Sequence, residues 1–128
     1  MKAMKILASA MLLAASSLAF AQDGITRTES LRHDYGNTGT EAIQVRVDIA
    51  PGVQFPRHSH PGVEIAYVLE GTMEYQFDGQ APVTLKKGDS LYIPAGTIHS
   101  AKNVSSAPAA ELATYLVEKG KPALVLAH

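Results

Sequence analysis

The chain has 128 residues, 46% of them hydrophobic and few aromatic, with a formal net charge of -1 at pH 7. That length holds one compact domain around one core, and the interspersed charges leave no basic stripe to attract nucleic acid or an anionic membrane surface. With no cysteine present, a disulfide framework and a cysteine-linked lipid anchor are both excluded.

Lys2 and Lys5 form a short positive region ahead of the apolar run "ILASAMLLAASSL", Ile6 to Leu18, and small residues stand at Ala19 and Ala21. This is the pattern of a secretory signal peptide over residues 1–21, cleaved after Ala21. The apolar run falls short of the roughly 20 residues that a spanning helix needs. An exported protein, periplasmic or secreted, is expected, with no membrane attachment after cleavage. Loss of Lys2 and Lys5 leaves nine Lys plus Arg against twelve Asp plus Glu, a net charge of -3.

Residues 22–42 are mostly polar and end in a Gly/Asn/Thr turn cluster, which predicts an extended arm or edge strand followed by a loop. His33 in this stretch and His128 at the other end read as solvated. From residue 43 onward, Gly, Pro or Asp punctuates the chain every eight to twelve residues, and the intervening runs are rich in Val, Ile, Tyr and Leu. This rhythm predicts an all-β sandwich or barrel in a single domain, residues 43–128. "AIQVRVDI" alternates cleanly, with Ile43, Val45, Val47 and Ile49 on one face. "EIAYVLEG" and "TMEYQFDG" read as strands broken at Gly71 and at Asp78-Gly79, and "APVTLKKGD" and "SLYIPAG" continue the meander. "ELATYLVEK" fits either period: Leu112, Tyr115 and Leu116 at helical spacing, or Leu112, Thr114 and Leu116 on one strand face. Its neighbours favour a strand.

Two spaced patterns stand out. The first runs Gly52, five residues, His58, one residue, His60, three residues, Glu64, six residues, Gly71. The second begins after sixteen more residues: Gly88, five residues, Pro94, one residue, Gly96, two residues, His99, three residues, Asn103. In this order the pair resembles both motifs of the cupin superfamily, of the small single-domain type, over residues 52–103. The resemblance implies a cupin jelly-roll barrel of six to eight strands. It also implies one divalent transition metal, Fe, Mn, Ni, Cu or Zn, held by His58, His60, Glu64 and His99. Small cupins commonly dimerise, and a homodimer is expected in which Thr26 to His33 pairs with the sheet of the second copy.

The chemistry of these residue types agrees. In extended backbone, residues i and i+2 project to one face, so His58 and His60 aim into one space. The "PGV" turn brings Glu64 back as a hard anionic donor, and the "IPAG" turn returns His99 from elsewhere in the sheet. Three nitrogens and one oxygen suit a divalent transition metal, with two cis positions left open if the ion is octahedral. Gly52, Gly71, Gly88 and Gly96 are expected at turns, Pro94 at a strand edge, and Asn103 tying a turn through its amide. Tyr67, Tyr75, Phe77 and Tyr92 are candidates for a pocket wall, whereas Glu70 and Glu74 read as solvated.

Function is less determined, because one fold hosts many chemistries. The reading favoured here is a dioxygenase-type oxidoreductase acting on a small substrate that chelates the metal through oxygen. Two alternatives stay open: a non-catalytic metal-dependent binder or sensor of a small ligand, and an isomerase or lyase using the metal as a Lewis acid.

Overall fold

A computed structural model describes residues 22–128, and the leader read over residues 1–21 lies outside them. Ten strands run β1 (Ile25–Asp34), β2 (Thr40–Ile49), β3 (Gln54–Ser59), β4 (Val63–Glu70), β5 (Thr72–Phe77), β6 (Val83–Lys86), β7 (Ser90–Ile93), β8 (His99–Asn103), β9 (Ala109–Glu118) and β10 (Val125–Leu126). They form two five-stranded antiparallel sheets, β1-β2-β9-β4-β7 and β10-β3-β8-β5-β6. Among the described residues there is no helix long and apolar enough to cross a membrane.

The all-β expectation holds, but the strand count exceeds six to eight. The polar arm is a full ten-residue strand, with β1 pairing β2 from Ile25↔Ile49 to Asp34↔Glu41 around a bulge between Glu29 and Leu31. The C-terminal residues add the short β10. The first barrel strand also starts at Thr40, three residues ahead of the predicted boundary.

Period-two patterning explains the core. Ile43, Val45, Val47 and Ile49 are all buried in one continuous cluster with Ala66, Val68 and Ile93 of the same sheet and Met73 and Tyr75 of the second. Complete burial of such a side chain stabilises by about 1.5–3 kcal/mol before entropy is counted. "ELATYLVEK" is indeed strand, but the buried face is not the one its leucines suggest. Glu111, Ala113, Tyr115 and Val117 point inward, while Leu116 is exposed.

The two sequence patterns meet at their far ends. The Gly52 N–H donates to the Asn103 carbonyl at 3.0 Å, and the Asn103 N–H donates to Val53 O at 3.1 Å. The buried Asn103 amide donates to Ile49 O and Ala107 O, and its oxygen accepts from the Ser105 N–H. Asn103 therefore ties a turn, as its position in the pattern suggested. Gly71 has φ of 73°, and a Cβ there would stand 2.7 Å from that of Ala109; both the backbone conformation and the close approach require glycine.

Candidate metal centre

The donors come from both sheets. His58 sits near the end of β3 and is the cross-strand partner of His99, which opens β8; their rings lie 4.2 Å apart. His60 follows β3 directly. Glu64 enters β4 between Ile93 of β7 and Tyr115 of β9. The turn joining β3 and β4 lies so tightly on β9 that a Cβ on Gly62 would fall 1.8 Å from the Leu116 carbonyl oxygen. That contact brings Glu64 back against the histidines. The "IPAG" turn is fastened to a ligand residue as well, since the Gly96 N–H donates to His60 O at 2.9 Å.

All four side chains are buried, and one potential donor atom from each lies within 4.8 Å of the others. Donors around one ion with bonds of about 2.1 Å stand roughly 3 to 4.2 Å apart, so the observed spread needs a contraction of only about 0.6 Å. Each imidazole has its Nδ1 against a main-chain carbonyl: His58 on Pro56 at 2.6 Å, His60 on Ala123 at 2.5 Å and His99 on Thr97 at 2.9 Å. A carbonyl can only accept, so each Nδ1 carries the proton and each neutral ring leaves its Nε2 lone pair free. His60 Nε2 approaches Glu64 Oε2 to 2.8 Å, yet neither buried atom makes a hydrogen bond. Orphaned buried acceptors of this kind are costly, and a cation between them would satisfy both. The residues present therefore fit a metal ion.

Electrostatics points the same way. Burial, then the charge that a protonated His99 would carry, depresses the His58 imidazole to about 3, which keeps that donor unprotonated at neutral pH. Burial alone would raise the Glu64 carboxyl, but His60 and His99 in protonated form would donate to it and hold the group below its ordinary value, a positive charge that a bound cation supplies in their place. Neutral nitrogen and ionised oxygen are the states in which these groups bind metal.

Of the four pocket candidates, Phe77 and Tyr92 line a cavity of about 330 Å³ with Leu91, Pro94, Thr97 and Gln80. None of the four donors lines it, but Phe77 on its wall has its ring 5.9 Å from that of His99. Tyr67 stands on the outward side of β4, 42% exposed, and Tyr75 lies inside the barrel with its hydroxyl donating to Glu111. Neither lines this cavity. His33 and His128 are exposed, and so is Glu70, which pairs with Arg46 at 3.2 Å; Glu74 is half-buried.

Three features escaped the sequence reading. Tyr115 packs on His60 with ring centroids 4.6 Å apart, Glu111 shares its inward face on β9, and Ala123 supplies the carbonyl for His60. The strand alternation of "ELATYLVEK" contained the first two, because Glu111 and Tyr115 share a parity. A backbone carbonyl leaves no mark in a sequence.

Fold and centre together define a protein of the cupin class. The cupin domain family matches residues 45–117, and the chain belongs to that family. It is 40% identical over 75 residues to germin-like protein subfamily 2 member 1 of Arabidopsis thaliana, 55% of this chain and 34% of that protein. Germin-like protein 5-1 of Oryza sativa subsp. japonica is 38% identical over 92 residues, 66% of this chain and 39% of that one. The chain thus spans little more than a third of the length of these relatives. Among solved structures it resembles an oxalate oxidase, with 26% identity, a TM-score of 0.67, and coverage of 93% of this chain and 65% of that one. A Klebsiella pneumoniae protein with a double-stranded β-helix domain shares the fold at 20% identity and a TM-score of 0.68, covering 88% and 91%.

Proposed function

We propose that this protein is an exported, metal-dependent oxidoreductase of the dioxygenase type, acting on a small acid or similar molecule that chelates through two oxygens. One observation carries the reading: three Nε2 lone pairs and one carboxylate oxygen converge in a buried space with their orientation already fixed. When bound, a divalent metal would supply two open positions for the substrate's two oxygens, together with a redox couple. The chain's part is to hold the donors neutral or anionic, to keep water from the site by burial, and to offer the cavity beside His99 for the rest of the substrate. Likeness to an oxalate oxidase, solved also with the substrate analogue glycolate, makes two-carbon acids the first substrates to try. Export rests on the pattern of residues 1–21.

The test is oxygen uptake by metal-free protein reloaded in turn with iron, manganese, nickel, copper or zinc. The panel covers oxalate, glycolate, dicarboxylates, catechols, diketones and flavonols. Uptake is expected with a redox-active ion and not with zinc. Tight metal binding without uptake on any substrate would replace this reading with that of a metal-dependent binder.

Assembly belongs to the same proposal: two copies pair through β1. This strand ends the first sheet, so its outer edge has no neighbour among the described residues, and Thr28 to Asp34 are exposed. The bulge at Ser30 puts Arg27, Glu29, Arg32 and Asp34 on one face. An antiparallel self-pairing centred there sets Arg27 against Asp34 and Glu29 against Arg32, so that opposite charges meet at these positions.

A further inference from the structure

Two of the three imidazoles are oriented by carbonyls two residues earlier in their own strand or turn. His60 is not. Its Nδ1 meets the carbonyl of Ala123, 63 residues along the chain, at 2.5 Å. Ala123 lies in the segment that leaves β9 through Gly120, whose φ is 84°. The segment crosses from the first sheet to the second and ends as β10, which pairs with the ligand strand itself, Val125 against Ser59 and Leu126 against His58. The Ala127 N–H adds a bond to Arg57 O at 3.0 Å. Ala123 and Leu124 are half-buried against the core, whereas Val125 and Leu126 are 46% and 43% exposed. Core burial therefore accounts for the placing of Ala123 and Leu124, and main-chain bonding to β3 for the rest.

We propose that residues 122–128 form part of the metal centre, with the Ala123 carbonyl holding His60 in the Nδ1–H tautomer so that Nε2 faces the ion. The inference rests on the reading that the quartet holds a metal. Its chemistry is that of any partner to the non-ligating nitrogen: it fixes ring orientation and tautomer, and loss of such a partner weakens metal binding by about 10–100-fold. Here the partner stands just ahead of a strand only two residues long, so affinity at the centre is tied to docking of residues 122–128.

The experiment deletes residues 122–128 and measures zinc affinity by chelator competition. Melting of the metal-free protein and long-range ¹H–¹⁵N spectra of the imidazoles accompany it. The expected result is a 10–100-fold loss of affinity with a cooperative melt retained. His60 alone should pass to mixed tautomers while His58 and His99 keep Nδ1–H. The same deletion in a His60→Ala background should add no further loss, since the two changes remove one interaction. If the long deletion fails to fold, deletion of residues 125–128 removes β10 but leaves Ala123, and a smaller loss confined to His60 is expected. Wild-type affinity in a truncated protein, simultaneous loss of all three tautomers, or an equal loss in the His60→Ala background would overturn the proposal. Should the full chain bind no zinc, the metal reading fails instead, and the tautomer spectra of metal-free protein still decide whether the segment orients His60.

Discussion

Two groups of ionisable side chains lie inside this barrel, the quartet on β3, β4 and β8 and a second group around Glu111 of β9, and burial is resolved differently in each. In the quartet, His60 Nε2 and Glu64 Oε2 are buried, close together and without hydrogen bonds; the arrangement is incomplete without a cation. In the second group Glu111 accepts the Tyr75 hydroxyl, and burial together with the Glu64 charge pushes its carboxyl up to about 8. Arg27 donates to the Tyr115 hydroxyl at 3.5 Å nearby. A carboxylate in the first group is held ionised, and one in the second is driven toward its neutral acid. The same low dielectric thus selects a metal in one place and a proton in the other.

The largest effects should separate the two groups cleanly. Glu64→Gln keeps shape but removes the anionic donor, and His99→Ala removes a nitrogen; each is expected to weaken metal binding by more than about 100-fold, beyond the range seen for partners of ligands. Metal-free melts should stay near that of the metal-free wild type, because the strands' apolar faces do not depend on these groups. Tyr75→Phe should do the reverse, destabilising by about 1–3 kcal/mol through an unpaired buried carboxyl while leaving metal affinity within a few-fold. If Tyr75→Phe removes metal binding, the two groups are one unit and the contrast is wrong.

The sequence made the first group visible because turns fix its spacing. His58 and His60 flank one residue, Glu64 follows a tight turn, and His99 follows the "IPAG" turn whose Gly96 bonds to His60. Each position needs a particular residue type, and such needs leave fixed intervals. The second group lies on regular strands, where alternation says that residues share a face but not which face is buried. Leu112, Thr114 and Leu116 share the uncharged face, yet it is Glu111 that lies inside. Tyr75, from the distant β5, supplies the hydrogen bond that makes its burial tolerable. Tertiary pairing of this kind is absent from local pattern. The short β10 was missed for a related reason: it is held mainly through main-chain bonds.

A pH profile sharpens the contrast at a smaller scale. Glu111 faces Tyr75 from β5, Glu64 from β4, Arg27 from β1 and Tyr115 on its own strand. Its folded value lies above the ordinary carboxyl value, so the folded state binds the extra proton between roughly pH 4.5 and 8. Its contribution is therefore fully present below that window and is lost as pH rises through it. Glu111→Gln keeps a neutral partner for Tyr75. The stability difference, Gln variant minus wild type, should be small at pH 5 and grow in favour of the variant toward pH 9, by a few kcal/mol on the order of one per unit of pH. Chemical denaturation of metal-free proteins at pH 5, 7 and 9 measures it, and a difference flat across that range would mean that Glu111 is ionised throughout.

The smallest expected effect concerns the charges along β1 beyond Arg27. Exposed ion pairs contribute about 0.2–1 kcal/mol each and weaken with salt. Glu29→Arg would place like charges opposite one another at two symmetric positions of the proposed dimer, since Glu29 stands against Arg32 in each half. Sedimentation equilibrium at micromolar concentration should show the dimer dissociating a few-fold more readily, with the gap narrowing at high salt. Deletion of residues 22–33 should leave a monomer, because it removes the edge itself rather than two charges on it. A wild-type monomer, or a dimer that survives that deletion, would place the contact elsewhere. Unchanged dissociation of Glu29→Arg with loss of the dimer on deletion would keep the strand pairing and discard only the charge register.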